Sequence, residues 1–432
     1  SFFLAPSLQY NATERLQVNF EAELFNREGT NPLMVFLNRS RPLYARTPNE
    51  LVFDYNKSYT NDDVVTKTPT TNLRATVNYQ LSPTWNSSTS INYNHRKSDG
   101  YYQYVMYLED DNDEIISRFA ANQYSVGKVF NAQQNFSGDF SLGNLRNRTV
   151  IGFDFLNQTI ENHDSPYLVV DKVNTAIDDP AYYHFNADLI AQKINQSNED
   201  GTNNKSRNQV LGAYVSNVLD ITPRFHFLLA LRLDHFNNRG TINYNLDQIT
   251  GDFTQTAISP KAGIVYELLK DQISIFANYQ NGFKNIAPVK QPFDDISGNF
   301  KPQRANQFEG GIKANLLQNH LQFTASYYDI NVTNTTRGES IVRDDTIYNI
   351  TVQDGSKFSR GLEFDVTASP IEGLQLIASY SYNESEMIKA AERVNGRRPV
   401  EAGPRHLANA WATYTVPKGI FRGLGIGAGV NY

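Results

Sequence analysis

Cysteine is missing from all 432 residues, which rules out disulfide bonds and thiolate metal centres. The seven histidines, at positions 95, 163, 184, 226, 235, 320 and 406, never fall into His-x-His or His-Glu-x-x-His spacing, so no protein-ligated metal centre is expected. No nucleophile elbow or other catalytic constellation is present, and an enzyme is not expected. No run approaches the roughly 20 apolar residues that a membrane helix needs, and mean hydropathy is low at -0.49. The formal net charge of -6 argues against a general nucleic-acid binder. No linker or shift in composition divides the chain, although its length alone would suggest two or three soluble domains.

What the chain does have is period-two alternation. Between Arg15 and Arg27, Leu16, Val18, Phe20, Ala22 and Leu24 hold one parity while Gln17, Asn19, Glu21 and Glu23 hold the other. Successive side chains of a strand point to opposite faces, so one face is apolar and one polar. The pattern returns at Leu73, Ala75, Val77, Tyr79 and Leu81, at Phe227, Leu229, Leu231 and Leu233, and at Leu374, Leu376, Ala378, Tyr380 and Tyr382. Sixteen strands are expected, from 4–10 and 15–27 through to 405–416 and 424–432. A soluble sandwich also alternates, so connection lengths must discriminate. Tight turns such as Asn11 to Glu14, Ser82 to Trp85, Gly143 to Arg146, Asp220 to Arg224 and Pro370 to Gly373 take turns with long connections at 28–70, 98–126, 161–206, 239–255, 284–302, 334–355 and 386–404. Outer-membrane barrels carry short periplasmic turns and long outer loops, an asymmetry sandwiches have no reason to show. The expected fold is therefore all-β: a transmembrane antiparallel up-and-down β-barrel. Aromatic residues make up 12%, and many fall near strand ends, where interfacial girdles sit.

Several segments carry a family resemblance. The run Ser259-Pro260-Lys261-Ala262-Gly263-Ile264-Val265-Tyr266, with Ile273 to Tyr279 and Gly282-Phe283, resembles the mid-barrel signature of TonB-dependent siderophore receptors. So does Phe300-Lys301-Pro302-Gln303 leading to Gln307-Phe308-Glu309-Gly310-Gly311-Ile312-Lys313. Ser359 to Phe364, Ala378 to Tyr382, and Pro404-Arg405-His406 with Trp411 and Tyr414 continue in the family's order, and Leu4 to Leu8 is similar to its early strands. The resemblance implies a 22-stranded barrel in the outer membrane of a Gram-negative bacterium, filled by an N-terminal plug on which a TonB-type energy-transducing protein pulls. Residues 1–432 would be part of that barrel, with about sixteen of the 22 strands and without the plug. Aligning the first strand as the family's fourth leaves three strands unaccounted for at each end. The chain begins at Ser1 without a methionine or signal segment, so its true beginning is expected to lie elsewhere or to have been removed. A sixteen-stranded sheet closing on itself is the other expectation. Gly423, Gly425, Gly427 and Gly429 lack the following helix of a nucleotide loop and are expected as small residues facing the lumen.

Function is then expected in the outer loops and lumen wall. Tyr101, Tyr102, Tyr104, Met106 and Tyr107, in the second long loop, offer an aromatic platform for a planar or amphipathic ligand, or a capping girdle. Arg39, Arg41 and Arg46 could attract an anionic chelate or face lipopolysaccharide. Tyr182, Tyr183, His184 and Phe185 form a third patch. Acidic pairs at 62–63, 110–111, 178–179, 294–295 and 344–345 could hold divalent cations that bridge to lipopolysaccharide, or simply keep the loops soluble; Glu109 to Glu114 has some calcium-loop character without the central glycine. The leading expectation is a monomeric receptor for energised uptake of a ferric siderophore, in contact with outer-membrane lipid and lipopolysaccharide. Iron would be carried by the siderophore, so no cofactor is expected. A receptor for cobalamin, another metal chelate or a glycan, a plugless sixteen-stranded diffusion porin and a surface adhesin are the alternatives.

Overall fold

The computed structural model describes residues 1–38, 42–108 and 113–432. Sixteen long strands follow one another in chain order. β1 (Phe2–Leu4, continuing as Ser7–Thr13), β2 (Leu16–Asn26), β3 (Thr70–Ser82) and β4 (Trp85–Tyr107) open the sheet. Then come β5 (Ile115–Leu142), β6 (Leu145–His163), β7 (Asn203–Thr222) and β8 (Phe225–Asn243). β9 (Phe253–Leu269), β10 (Ile273–Lys284), β11 (Gln303–Leu316) and β12 (Leu321–Arg343) continue it. β13 (Thr346–Ala368), β14 (Leu374–Lys389), β15 (His406–Thr415) and β16 (Gly425–Asn431) complete the meander. Each strand pairs antiparallel with the next, so the sixteen expected strands are all present in the expected order.

Alternation sorts the side chains as a membrane requires. On β8, Leu229, Leu231 and Leu233 stay 56%, 49% and 44% exposed on the outward face. Between them Arg232 and Asp234 point inward, where Arg232 donates to Asp154 at 2.8 Å and to Asp234 at 2.6 Å. In water those leucines would be a liability, whereas in lipid they are solvated and the polar row lines the lumen. The glycines of β16 follow the same logic. Gly427 and Gly429 lie opposite Thr413 and Trp411, and a Cβ on Gly429 would stand 2.2 Å from the Trp411 ring. Small residues here let an inward-facing indole lie flat on the neighbouring strand.

Two expected long loops are mostly ladder. β4 and β5 stay paired up to Tyr107 opposite Ile116, and β12 and β13 up to Arg343 opposite Thr346, leaving 108–114 and 344–345 as the connections. Asp344 and Asp345 both take positive φ, 47° and 56°, as a two-residue hairpin turn with the sheet's own twist demands. Apolar alternation stops where lipid stops, but backbone pairing does not, so the pattern read from sequence ends too early. β12 and β13, at 23 residues each, exceed the roughly 9–11 residues needed to cross by about 40 Å of strand.

Among the described residues β1 pairs with β2 and β16 with β15, and no ladder joins β1 to β16. The sixteen-stranded closure expected as an alternative is not formed among them, and the plugless porin is not favoured. In lipid an unpaired edge costs several kcal/mol per backbone group, roughly tens in total.

Candidate functional site

The upper halves of β4 and β5 form the core of an outer cap. Val35–Leu37 adds to β4 as a parallel strand opposite Val105 to Tyr107, and Leu168–Asn174 adds to β5 opposite Ile115 to Ala120. The β4–β5 register runs without a shift from Trp85 opposite Gly138 to Tyr107 opposite Ile116. Side-chain direction in the cap is thus set by parity in the membrane, where Ile91 and Tyr93 face outward and Asn92 and Asn94 inward.

Parity splits the aromatic run that the sequence presents as one cluster. Tyr101, Gln103, Val105 and Tyr107 continue the outward face and are covered. Tyr107 packs with Tyr59, Val105, Ile116 and Val173, while Tyr101 packs with Val64, Ala120, Phe185 and Ile190 of α1 (Ala187–Gln196). Tyr182 joins them edge-on to Tyr59 at 5.5 Å. These tyrosines are packing residues of the cap. At their centre Arg118, 0% exposed, makes a two-pronged ion pair with Asp171 at 2.7 and 2.6 Å. It also donates to the carbonyls of Ala181 and Tyr182, at 2.7 and 3.1 Å, and lies over the Phe185 ring.

Tyr102, Tyr104 and Met106 take the inward face. Tyr104 stacks on Phe119 at 4.7 Å and meets Phe36 edge-on at 5.0 Å and Tyr167 at 5.5 Å. Tyr102 stands edge-on to Tyr167 at 6.4 Å and its hydroxyl donates to Met34 Sδ at 2.7 Å. The Tyr167 hydroxyl accepts from Gln123 Nε2 at 2.6 Å, which fixes that ring from below. These rings are only partly covered: Phe36 is 38% and Tyr167 39% exposed. Beneath them on the same face lies a recess of about 470 Å³ lined by Asn94, Arg96, Ser98, Gln123 and Asn162, then another of about 640 Å³ lined by Glu21, Glu23, Arg74, Asn92 and Asn131. An aromatic platform at the mouth thus leads onto an amide-rich wall, an arrangement able to hold an amphipathic solute and pass it inward.

The other expected residues lie elsewhere. Arg39 and Arg41 fall outside the described residues, as do the pair at 110–111 and most of the Glu109 to Glu114 segment. Arg46 is exposed, and its backbone N–H donates to Glu50. Tyr183, bonded to Asp178, and His184 are exposed in the 3-10 turn Pro180–His184 on the cap's outer side. Of the acidic pairs, Asp179 caps that turn by accepting from Ala181 N and ties it to the preceding strand by accepting from Asn174 N, Asp63 accepts from Ala187 N, and Asp295 pairs with Arg343. They serve local capping and ion pairing. Sequence reasoning missed Phe36, Phe119, Tyr167 and Arg118. Alternation within 101–107 was a usable signal for the split; the partners needed a register that no local pattern supplies.

Burial pushes the Tyr107 phenol up to about 12. Its ordinary value near 10 applies once the cap opens. The folded form then binds a proton that the open form has lost, so cap stability is full below about pH 10 and falls as pH rises toward 12. Phenolate absorbance should show Tyr107 and Tyr167, the latter also raised to about 12 by burial, titrating late, and Tyr107→Phe should remove one of those two equivalents; an unchanged titration would contradict this burial.

A sixteen-strand antiparallel meander, apolar outside and polar inside, with a ring-lined mouth, defines an outer-membrane barrel of the receptor type. Residues 8–432 match the family model described as TonB dependent receptor-like, beta-barrel, and the chain belongs to that family. Among relatives, the metal-pseudopaline receptor CntO of Pseudomonas aeruginosa is 21% identical over 368 residues, 83% of this chain and 49% of that protein. The ferrioxamine B receptor of Salmonella typhimurium is 26% identical over 303 residues, 68% of this chain and 38% of that protein. The closed-form crystal structure of the ferric-catecholate import receptor Fiu from E. coli K12 superimposes with a TM-score of 0.73 at 18% identity, over 99% of this chain and 63% of that one. The chain thus spans half or less of the length of these curated relatives. It is a Gram-negative outer-membrane β-barrel, and its relatives are receptors rather than enzymes.

Proposed function

We propose that the protein takes up a ferric siderophore, with energy from a TonB-type partner acting on a plug inside the lumen and with iron held throughout by the chelator. The carrying observation is the inward aromatic face of Tyr102, Tyr104, Phe119 and Tyr167 above the polar wall. The two open sheet edges fit a longer barrel whose further strands pair with β1 and β16, acting as a monomer. Below the rings, Arg96 and Asp164 oppose one another in charge and the remaining lining is largely amide and hydroxyl, which suits a chelate of low net charge. A metal chelate other than ferric iron is the second reading, favoured by the relative named for metal-pseudopaline.

The test is radiolabelled iron uptake from a panel of ferric hydroxamates, catecholates and citrate by cells with and without the gene. Loss of one chelate's energy-dependent uptake on deletion is expected. Undiminished uptake and growth under iron limitation would sink the iron reading, and loss of nickel, cobalt or zinc chelate uptake instead would select the second.

A further inference from the structure

The lipid side of β4–β8 carries a second feature, unconnected with the lumen. Across the ladder one outward row reads His95, Lys128, Thr159 and Arg207, each opposite the next. Arg239 joins from β8, its Nε donating to Gln209 at 3.2 Å on the same face. In the next row outward, Lys97 and Lys205 are neutralised by Asp99 at 2.8 Å and Glu161 at 3.1 Å. Lys128, Arg207 and Arg239 are exposed and have no carboxylate within ion-pair distance among the described residues.

Height along the strand says what surrounds them. His95 lies ten residues above Trp85 at the short-turn end of β4, Lys128 fourteen from Leu142 on β5, Arg207 fifteen from Thr222 on β7 and Arg239 fourteen from Phe225 on β8. At about 3.3 Å per residue and a tilt of about 40°, the row climbs from roughly 25 Å at His95 to roughly 35–38 Å at the three cations, against an apolar band of about 25 Å. The cations therefore sit at the outer headgroup level and just above it. Below them the outward face is mainly apolar, with a groove of about 500 Å³ lined by Ile91, Phe153, Phe155, Leu211 and Leu233, and with Thr89, Gln134 and His235 also in its wall. Uncompensated cations over an acyl-sized groove fit an amphiphile with an anionic head, and arginine's planar fork suits phosphate. Neighbouring strands are about 4.8 Å apart, so the row from His95 to Arg207 spans roughly 14 Å, wide enough for two phosphates.

We propose that Lys128, Arg207 and Arg239 form a binding site for a phosphorylated glycolipid of the outer leaflet, with an acyl chain laid in the groove below. The headgroup phosphates engage the cation row and the His163 and Tyr244 rings, stacked at 5.9 Å, wall the site above.

The experiment uses the full receptor extracted mildly from outer membranes, with co-purified phosphorylated glycolipid counted by native mass spectrometry. Lys128→Glu with Arg207→Glu should lower retained lipid at least about tenfold, and Lys270→Glu at the short-turn end should not. Should the charge reversal misassemble, judged by heat-modifiable migration, Lys128→Gln with Arg207→Gln takes its place. Delipidated wild type should then rebind glycolipid with two phosphates better than with one or none. Equal retention by a folded double variant, indifference to phosphate number, or binding of inorganic phosphate without glycolipid would each overturn the proposal. Iron uptake by the same strains is a separate readout, so failure here leaves the transport reading standing and failure there leaves this one.

Discussion

Arg118→Ala should open the outer cap while leaving the membrane ladder intact. The substitution strands the Asp171 carboxylate, whose side chain is 19% exposed, and leaves the Ala181 and Tyr182 carbonyls without their donor. Removing one partner of a buried pair costs about 3–5 kcal/mol, most of it the unpaired charge. That cost falls on one joint, because Arg118 is where β5, the Leu168–Asn174 strand and the Pro180–His184 turn meet. Residues 168–196 should lose amide-exchange protection and become cleavable, while strands within the bilayer stay protected. Arg118→Lys keeps the charge but not the fork and should fall between. Arg118→Met with Asp171→Leu should recover part of the loss, since replacing both partners avoids an orphaned charge. Unchanged proteolysis and exchange in Arg118→Ala would show that the cap is held by its apolar contacts instead.

The same residue marks where sequence reading stops. Leu229, Leu231 and Leu233 announce their strand because lipid demands an unbroken apolar row, and turn-rich segments such as Gly143 to Arg146 announce the short-turn end. The cap lies above the lipid, and there both sheet faces can be covered by protein. Polarity then no longer tells which face is covered, although parity still separates the two faces: Val105 and Arg118, opposite each other and both 0% exposed, share one face. Taken as a loop, the tyrosines of 101–107 form a single platform. As strand, the run divides by parity, and Tyr101 and Tyr107 pass to the packed side. Tyr167 reaches Tyr104 from another connection, and Phe119 by a cross-strand pairing. Register across long connections fixes such contacts, and it emerges only when the whole sheet is assembled.

Removing the inward rings should weaken ligand capture more than any other surface change. Tyr104 is the centre of the platform, in contact with Phe36, Phe119 and Tyr167, and Tyr167 bridges it to Tyr102. Each buried aromatic contact contributes about 1–1.5 kcal/mol, and anchors at the centre of a site dominate its energy, so Tyr104→Ala with Tyr167→Ala should raise Kd by about 10²-fold. The measurement is equilibrium binding of the intact receptor to whichever labelled ferric chelate supports growth through it. Tyr104→Phe with Tyr167→Phe keeps the stacking faces and should bind nearly as wild type, which separates ring contact from hydroxyl chemistry. Tyr183→Ala, on the cap's outer side and 63% exposed, serves as the aromatic control and should change Kd by less than about twofold. A double alanine variant that is folded and binds within about threefold of wild type would remove the platform from the capture step. Recognition would then rest on the polar wall below, where Asn94, Arg96, Gln123 and Asn162 become the residues to substitute.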